Sequence, residues 1–534
     1  MTLWRPLLLL LTMGTAQAAD VPSAAKLAAE QRVVRHLKDE PSSLSPLKLV
    51  GLPELQVVRD LFEGLLTQGA DGSVQPGVAR HWRSDDNQHF LFELRKDAAW
   101  SNGDPVTASD FVYSWRRLVS PKEAATFAWF AQLAHFENVD KIVAGELSPD
   151  QLGVEAVGDH TLKVTLSQPV PYFLNLLTHP SLSPLHEASI VREGSAWTQP
   201  GKLVGNGAFI LADRVVNERL DLRPNPHYWD RAHTVLTKVT FLPINQESAA
   251  TQRYLAGDID ITESFPKEQY ARLIKQIPAE VYTPEQLGTY YYAFNTRQAP
   301  LDDVRVRKAL SYAIDRQLIA SKVLGTGEKP AYHFTPDVTA HFTPKPNTLS
   351  TLSQPELDAE AKRLLAEAGY GPAHPLELTL LYNTAELHKK LALAIASMWK
   401  QKLGAKVQLT NQEWKSYLDS RQHGQFQVIR SSWVADYNDP SAFLELWRSS
   451  NSGNMARFAS PDYDALLDQA SRNTVQASRS QLFDQAEALL QEQAPIAPIY
   501  QYTNARLIKP WLKGYPINNP EDVAYSRQLY LLAH

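Results

Sequence analysis

Leu376, Leu378, Leu380 and Tyr382 alternate along one short stretch, and together with the helical pattern behind them they limit the fold more than any other feature of the chain. Apolar alternation of period two marks a strand with one buried face. From Glu386 to Leu403 the apolar residues Leu387, Leu391, Ile395 and Met398 return at helical spacing, and Gly404 supplies a C-terminal stop. Lys406 to Leu409 then resumes a strand. Two strands joined by a helix form a βαβ crossover, the building block of a parallel or mixed sheet. Lys362 to Ala368, closed by Gly369, predicts a short helix ahead of this unit. Far upstream, His89 to Arg95 carries Phe90, Phe92 and Leu94 on one face. Thr107-Ala108-Ser109-Asp110 then predicts a capped helix running to about Leu118. Strand and helix recur in this way along the chain, which predicts an α/β protein. The Pro, Asn and Ser cluster from Thr343 to Pro355 predicts a long surface loop.

A chain of 534 residues exceeds a single core, so several domains or lobes are expected. Met1 to Ala18 reads as a secretory signal: Arg5 is the positive start, Leu7 to Met13 the apolar core, and Ala16-Gln17-Ala18 the small-x-small cleavage site, so the mature chain begins near Ala19. The sequence contains no cysteine, which excludes both a lipid anchor at the cleavage site and disulfide staples. An exported, unanchored, disulfide-free protein fits the periplasm of a two-membrane bacterium. With 53 Lys+Arg against 58 Asp+Glu, there is no basic excess to attract nucleic acid or anionic lipid.

The motifs of common hydrolases, nucleotide-binding loops and zinc enzymes are missing, and a cysteine nucleophile is impossible. His333 and His341 flank a proline-containing loop and are expected to be solvated rather than metal-bound. Asp258 and Asp260, in Gly257-Asp258-Ile259-Asp260, are expected on one face of a strand beside a turn. No cofactor and no catalytic group is called for.

Trp433-Val434-Ala435-Asp436-Tyr437-Asn438-Asp439-Pro440 is the stretch most suggestive of a site. An acid walled in by Trp433 and Tyr437 is poorly hydrated and needs a cation nearby. The nearest basic residue in sequence is Arg430. Two readings stand on these residues alone: a ligand ammonium pairs with Asp436, or Asp436 is an exposed acid in a turn.

Six ordered blocks resemble the family 5 extracytoplasmic solute-binding proteins, which serve ABC importers. They are residues 60–66 (DLFEGLL), 77–115 (GVARHWR to VYSW), 205–211 (GNGAFIL), 225–230 (NPHYWD), 254–261 (YLAGDIDI) and 304–316 (VRVRKALSYAIDR). Residues 286–296 (QLGTYYYAFNT), 380–392 (LLYNTAELHKKLA), 411–426 and WVADYNDP are most similar to the oligopeptide-binding branch. Residues 263–267 (ESFPK) and 516–527 (PINNPEDVAYSR) are most similar to its murein-peptide-binding members.

The resemblance implies a two-lobed α/β periplasmic binding protein with mixed sheets, an extra domain and a hinge between the lobes. By analogy, domain I combines residues 19–62, 187–287 and 504–534, domain II is 63–186, and domain III is 288–503. It also implies a monomer that binds a small extended peptide and delivers it to an ABC permease in the inner membrane. Asp436 matches the residue that pairs with the peptide α-ammonium. Arg421, Arg430 and His388 match positions that receive ligand carboxylates, His388 most effectively when protonated. Leu52, Phe127, Tyr291, Trp414, Trp433, Val434 and Tyr502 match cleft walls, although Phe127 equally fits plain core. The branch carries acids where this chain has Val50 and Ala293, and cysteines where it has Gly288 and Val434. Losing two acids favours an anionic ligand such as L-Ala-γ-D-Glu-meso-diaminopimelate, net about −1 by reference pKa values. Other readings are a general oligopeptide receptor, a dipeptide, haem or nickel receptor, and an exported hydrolase or chaperone.

Overall fold

The computed structural model describes residues 19–451 and 453–534, leaving out the side chains of Trp414 and Lys415. The secretory signal expected over Met1 to Ala18 lies outside the described residues. Three larger sheets organise the chain. The first is mixed: Arg32–Leu37 pairs parallel with Lys238–Pro243, followed by antiparallel Arg219–Pro224 and Phe209–Val215. The second joins Ala79–Arg83, His89–Leu94, Thr161–Thr165 and Val154–Ala156, all antiparallel. The third is six-stranded, in the order Lys329–Pro330, Ile496–Thr503, Glu285–Phe294, Val428–Val434, Glu377–Asn383, Lys406–Gln412.

The chain enters the third sheet at Glu285 and leaves it at Thr503, and these two ends are register partners. Just outside them Val281–Tyr282 pairs antiparallel with Arg506–Leu507. Two adjacent backbone stretches therefore connect the third sheet to the rest. The result is an α/β fold of two lobes with mixed sheets, joined at a narrow crossing. The βαβ unit forms as its pattern requires: Glu377–Asn383 and Lys406–Gln412 lie side by side and parallel. Between them the helix Glu386–Leu403 ends at Gly404, whose φ of 68° is left-handed. The helix Ala108–Val119 starts at Thr107, which shares a capping box with Asp110 and buries Phe111, Trp115 and Leu118.

Four local expectations change. The helix expected from Lys362 runs Gln354–Glu367, and the loop expected through Pro355 is interrupted by a helical turn at Thr348–Thr351. Pro355 reads as a breaker, yet in a first turn its missing N–H has no partner to lose, and Ser353 and Glu356 cap the helix around it. Residues 257–260 are not a strand: Gly257, at φ 92°, ends the helix Glu247–Ala256. Asp258 then meets Arg253 at the surface, while Asp260 accepts the Val34 N–H at 2.8 Å and the Trp511 Nε1–H at 3.2 Å. His333 is buried rather than solvated, its Nε2 lying 2.8 Å from the Lys345 carbonyl.

The blocks that carry the family resemblance meet at one buried junction. The Glu63 carboxylate accepts hydrogen bonds from the Tyr228 hydroxyl at 2.5 Å and the Trp229 Nε1–H at 2.7 Å, with Arg527 at 3.8 Å. Asn206 accepts the Glu63 N–H at 3.0 Å and donates to the Glu63 carbonyl at 2.8 Å. Asp60 accepts from the Ser526 N–H and Oγ–H at 2.8 and 2.5 Å. Gln31 exchanges two hydrogen bonds of 2.9 Å with the backbone of Leu531, 500 positions away. The end of the helix Leu52–Leu61 and the segment before the strand Phe209–Val215 approach so closely that a Cβ on Gly207 would lie 2.5 Å from the Asp60 carbonyl oxygen. Gly207→Ala is expected to cost about 3 kcal/mol, the upper end of overpacking. Gly371→Ala, where a Cβ meets nothing within 4 Å, is expected to stay within about 0.5 kcal/mol. Denaturant unfolding of both variants checks the contrast.

Candidate ligand-binding site

Four strands of the third sheet, Glu377–Asn383, Lys406–Gln412, Val428–Val434 and Ile496–Thr503, run in one direction, with Glu285–Phe294 opposed to them. Their carboxyl ends open on one edge, where open α/β sheets leave a crevice. His388 comes after the first of these strands, Trp414 opens the helix after the second, Val434 and Asp436 end the third, and Tyr502 ends the fourth. Gly288 faces Val434 across the ladder, and a Cβ there would lie 3.0 Å from the Tyr502 ring and 3.2 Å from Val434 Cγ2. The sheet therefore brings five of the expected residues, His388, Trp414, Val434, Asp436 and Tyr502, to the ends of its parallel strands. Nothing is described of the Trp414 side chain.

Asp436 is exposed, yet the surrounding protein displaces enough water to push its carboxyl above the usual range. Both hold together for a carboxylate on the wall of an open concavity. Among the described residues it has no hydrogen bond or ion pair, and burial is the one influence on its protonation. The segment is held in place by backbone: the Ala435 N–H donates to the Leu287 carbonyl at 2.8 Å, and the Leu287 N–H to the Pro520 carbonyl at 3.1 Å. Val434 beside it is 55% exposed, and half-buried Trp433 is fixed by its Nε1–H donating to the Ala442 carbonyl at 2.6 Å. The acid that is truly walled in is Asp439. It is buried and paired through both oxygens with Arg479, at 2.5 and 2.7 Å, and it accepts the Ser441 N–H and Oγ–H. Burial raises its carboxyl, but the pairing outweighs burial and holds it below the ordinary range.

Arg430 is buried on the strand Val428–Val434. Its guanidinium lies 4.6 Å over the Tyr290 ring and donates to Asn383 Oδ1 at 3.2 Å and Ser432 Oγ at 3.3 Å. Its Nε has no partner, and no carboxylate lies within ion-pair distance among the described residues. Arg421, on the helix Trp414–His423, is half-buried, and its guanidinium donates no hydrogen bond and makes no ion pair among the described residues. His388 Nδ1 lies 3.4 Å from the Tyr290 hydroxyl. Burial, then the positive charge of Arg430, lowers the His388 pKa to about 4, so the imidazole is neutral at pH 7 in this open arrangement.

The remaining expected walls divide. Tyr502 is half-buried, with its ring 5.2 Å from that of Tyr500. Tyr291 lies inside the core, edge-on to Phe334 and Trp447, because alternation along the strand turns it to the face opposite Tyr290, which meets Arg430 and His388. Leu52 is 55% exposed at the start of the helix Leu52–Leu61, outside the third sheet. Phe127 is half-buried and stacks on His179 at 4.7 Å. The segments near them are tied together, since the Thr126 N–H donates to the Leu47 carbonyl at 3.1 Å. Sequence reasoning passed over Tyr290, Asn383 and Ser432, which hold Arg430. Only their place in the third sheet shows that role.

Residues 73–455 match the model of the bacterial extracellular solute-binding proteins, family 5. The chain belongs to this family. It is 61% identical to the periplasmic murein peptide-binding protein MppA of Escherichia coli, over 99% of this chain and 98% of that relative. It is 47% identical to the E. coli periplasmic oligopeptide-binding protein OppA, over 98% and 97% of the two chains. Among solved structures, the unliganded open form of MppA superposes with a TM-score of 0.93 at 62% identity, covering 96% of this chain and 99% of that one. Another E. coli MppA structure, also 62% identical and covering 95% of this chain and all of that one, superposes at 0.74. Equal identity rules out sequence divergence as the reason. The difference lies in the arrangement of the parts, and this structure is the more similar to the one described as unliganded and open.

In the ligand-free protein, His388 is expected to titrate near pH 4 by NMR, and Arg430→Met to raise that midpoint part of the way toward 6.5. A depressed histidine pKa contributes stability above pH 6.5 that is lost as pH falls toward 4. Asp439→Ala is expected to cost about 3–5 kcal/mol by stranding Arg479, while Asp436→Asn leaves the thermal midpoint unchanged or higher. Calorimetric unfolding measures both.

Proposed function

We propose that this protein is the periplasmic receptor of an ABC importer for the murein tripeptide L-Ala-γ-D-Glu-meso-diaminopimelate. One observation supports the reading: within the third sheet and the segments that follow its strands, Asp436 is a carboxylate with no partner among the described residues, and Arg421 and Arg430 are guanidiniums with no carboxylate in ion-pair reach. An uncompensated charge shielded from water is costly, so an extended zwitterion that supplies both counter-charges is the fitting occupant. Asp436 takes the α-ammonium, Arg430 and Arg421 take carboxylates, and neutral His388 offers one donor and one acceptor. The likeness to MppA favours the tripeptide, and the likeness to OppA supports some ordinary peptides as secondary ligands.

In this reading domain I is residues 19–62, 187–287 and 504–534, domain II is 63–186 and domain III is 288–503. Closure turns about the paired crossing at Glu285 and Thr503. The protein acts as a monomer, binds without catalysis, uses no cofactor and hands its ligand to an inner-membrane permease. The leader is removed near Ala18, and no described helix is long and apolar enough to cross a membrane.

Titration calorimetry tests the proposal. Tight one-to-one binding of the tripeptide is expected, with Asp436→Ala losing about 2–5 kcal/mol, roughly 30-fold or more. A surface carboxylate would lose at most about 1 kcal/mol. Affinity is also expected to decline on acidification from above pH 4, because the carboxyl of Asp436 is raised before the ligand arrives and must lose its proton to bind. Unchanged affinity in Asp436→Ala overturns the assignment.

A further inference from the structure

Tyr290 touches both Arg430 and His388. It is fully buried, its ring stacks on that of Tyr500 at 4.8 Å, and the Arg430 guanidinium lies 4.6 Å over its face. Its hydroxyl lies 3.4 Å from His388 Nδ1, its one hydrogen-bond partner among the described residues. Burial pushes the phenol above its ordinary range, against the opposing pull of Arg430, so the hydroxyl keeps its proton at neutral pH.

That proton has a single destination. A guanidinium offers only N–H donors and no lone pair, so Arg430 cannot accept it. Were His388 to carry its proton on Nδ1 and donate to the tyrosine oxygen, the buried O–H would be left without an acceptor, which is costly. A phenol proton also turns away from a neighbouring cation and toward a lone pair. The imidazole is neutral at pH 7, so one of its nitrogens carries such a lone pair. Pairing every donor therefore puts the Tyr290 O–H on Nδ1 and the His388 proton on Nε2. Nε2 has no partner among the described residues, and half-buried His388 lies in the first turn of the helix Glu386–Leu403. The strand before that helix ends at Asn383, which accepts from Arg430 at 3.2 Å.

We infer that Tyr290 is a positioning residue whose hydroxyl holds His388 as the Nε2–H tautomer, so that His388 and Arg430 both present donors and this end of the site takes a carboxylate and refuses an ammonium. The inference rests on the proposed function and narrows it, since the one acceptor of the imidazole is taken up by Tyr290. A second donor is thereby set beside Arg430 without a second positive charge, which the guanidinium would repel.

Nitrogen-15 NMR at pH 7 and calorimetry with the tripeptide, on the parent and on Tyr290→Phe, test the inference. Phenylalanine keeps the ring beneath Arg430 and against Tyr500 and removes only the O–H. In the parent, His388 is expected as Nε2–H, with its Nδ1 signal moved upfield as that of a hydrogen-bond acceptor. In Tyr290→Phe that displacement is expected to vanish and both tautomers to appear. Tripeptide affinity is expected to fall about fivefold in Tyr290→Phe, the factor for one hydrogen bond. Tyr290→Phe combined with His388→Ala is expected to bind no worse than His388→Ala alone, because the hydroxyl acts through the imidazole. A parent with its proton on Nδ1, a Tyr290→Phe spectrum like that of the parent, or additive losses in the double variant overturns the inference. Failure of the parent to bind tripeptide, with the spectra as expected, sinks the proposed function and leaves the tautomer standing. If Tyr290→Phe does not fold, the Nδ1 signal of the parent decides: an acceptor's position supports the inference, and that of an unbonded nitrogen overturns it.

Discussion

Asp436 and Asp439 stand three residues apart and are treated in opposite ways. Asp439 is buried against Arg479 and held ionised. Asp436 is left with no protein partner on the wall of a concavity. The rest of the structure depends on keeping that second acid uncompensated. The Leu287 and Pro520 backbone fixes the segment, Trp433 is pinned by its indole N–H, and the nearby Arg430 is kept occupied by Tyr290, Asn383 and Ser432. The proposed binding site is a set of charges that the fold declines to pair.

That arrangement would also favour an open form in the absence of ligand. Closing two lobes over unpaired charges strips their water and returns nothing, whereas a zwitterion brings the missing partners. A ligand shifts such an equilibrium only through its differential affinity for the two forms, and unpaired charges maximise that difference. The likeness to an unliganded open structure, against a poorer likeness to a second structure of equal identity, fits this account.

Much of the fold was legible because it is local. The crossover from Leu376 to Leu409, the cap at Thr107 and the stop at Gly404 each come from a few neighbouring residues. The family blocks were legible too, but they report the junction around Glu63, Asn206 and Gly207 rather than the ligand. The site was legible as a set of residue types and less so as geometry. Tyr291 is of the right type but lies on the opposite face of its strand from Tyr290, so its ring packs inside. The cation for the walled-in acid is Arg479, 40 positions away, which no local pattern announces. Pro355 misled because a proline can open a helix as well as forbid one, and His333 because a loop can be packed over.

The tie between Gln31 and Leu531 bears on biogenesis. The first sheet begins with Arg32–Leu37, and its neighbourhood is completed by residues from the very end of the chain. A nascent polypeptide cannot finish that core until its last segment has been synthesised, however much of the remainder is already available. The third sheet needs none of that segment, since all its strands lie between Glu285 and Thr503, so the two parts of the molecule can be completed at different times.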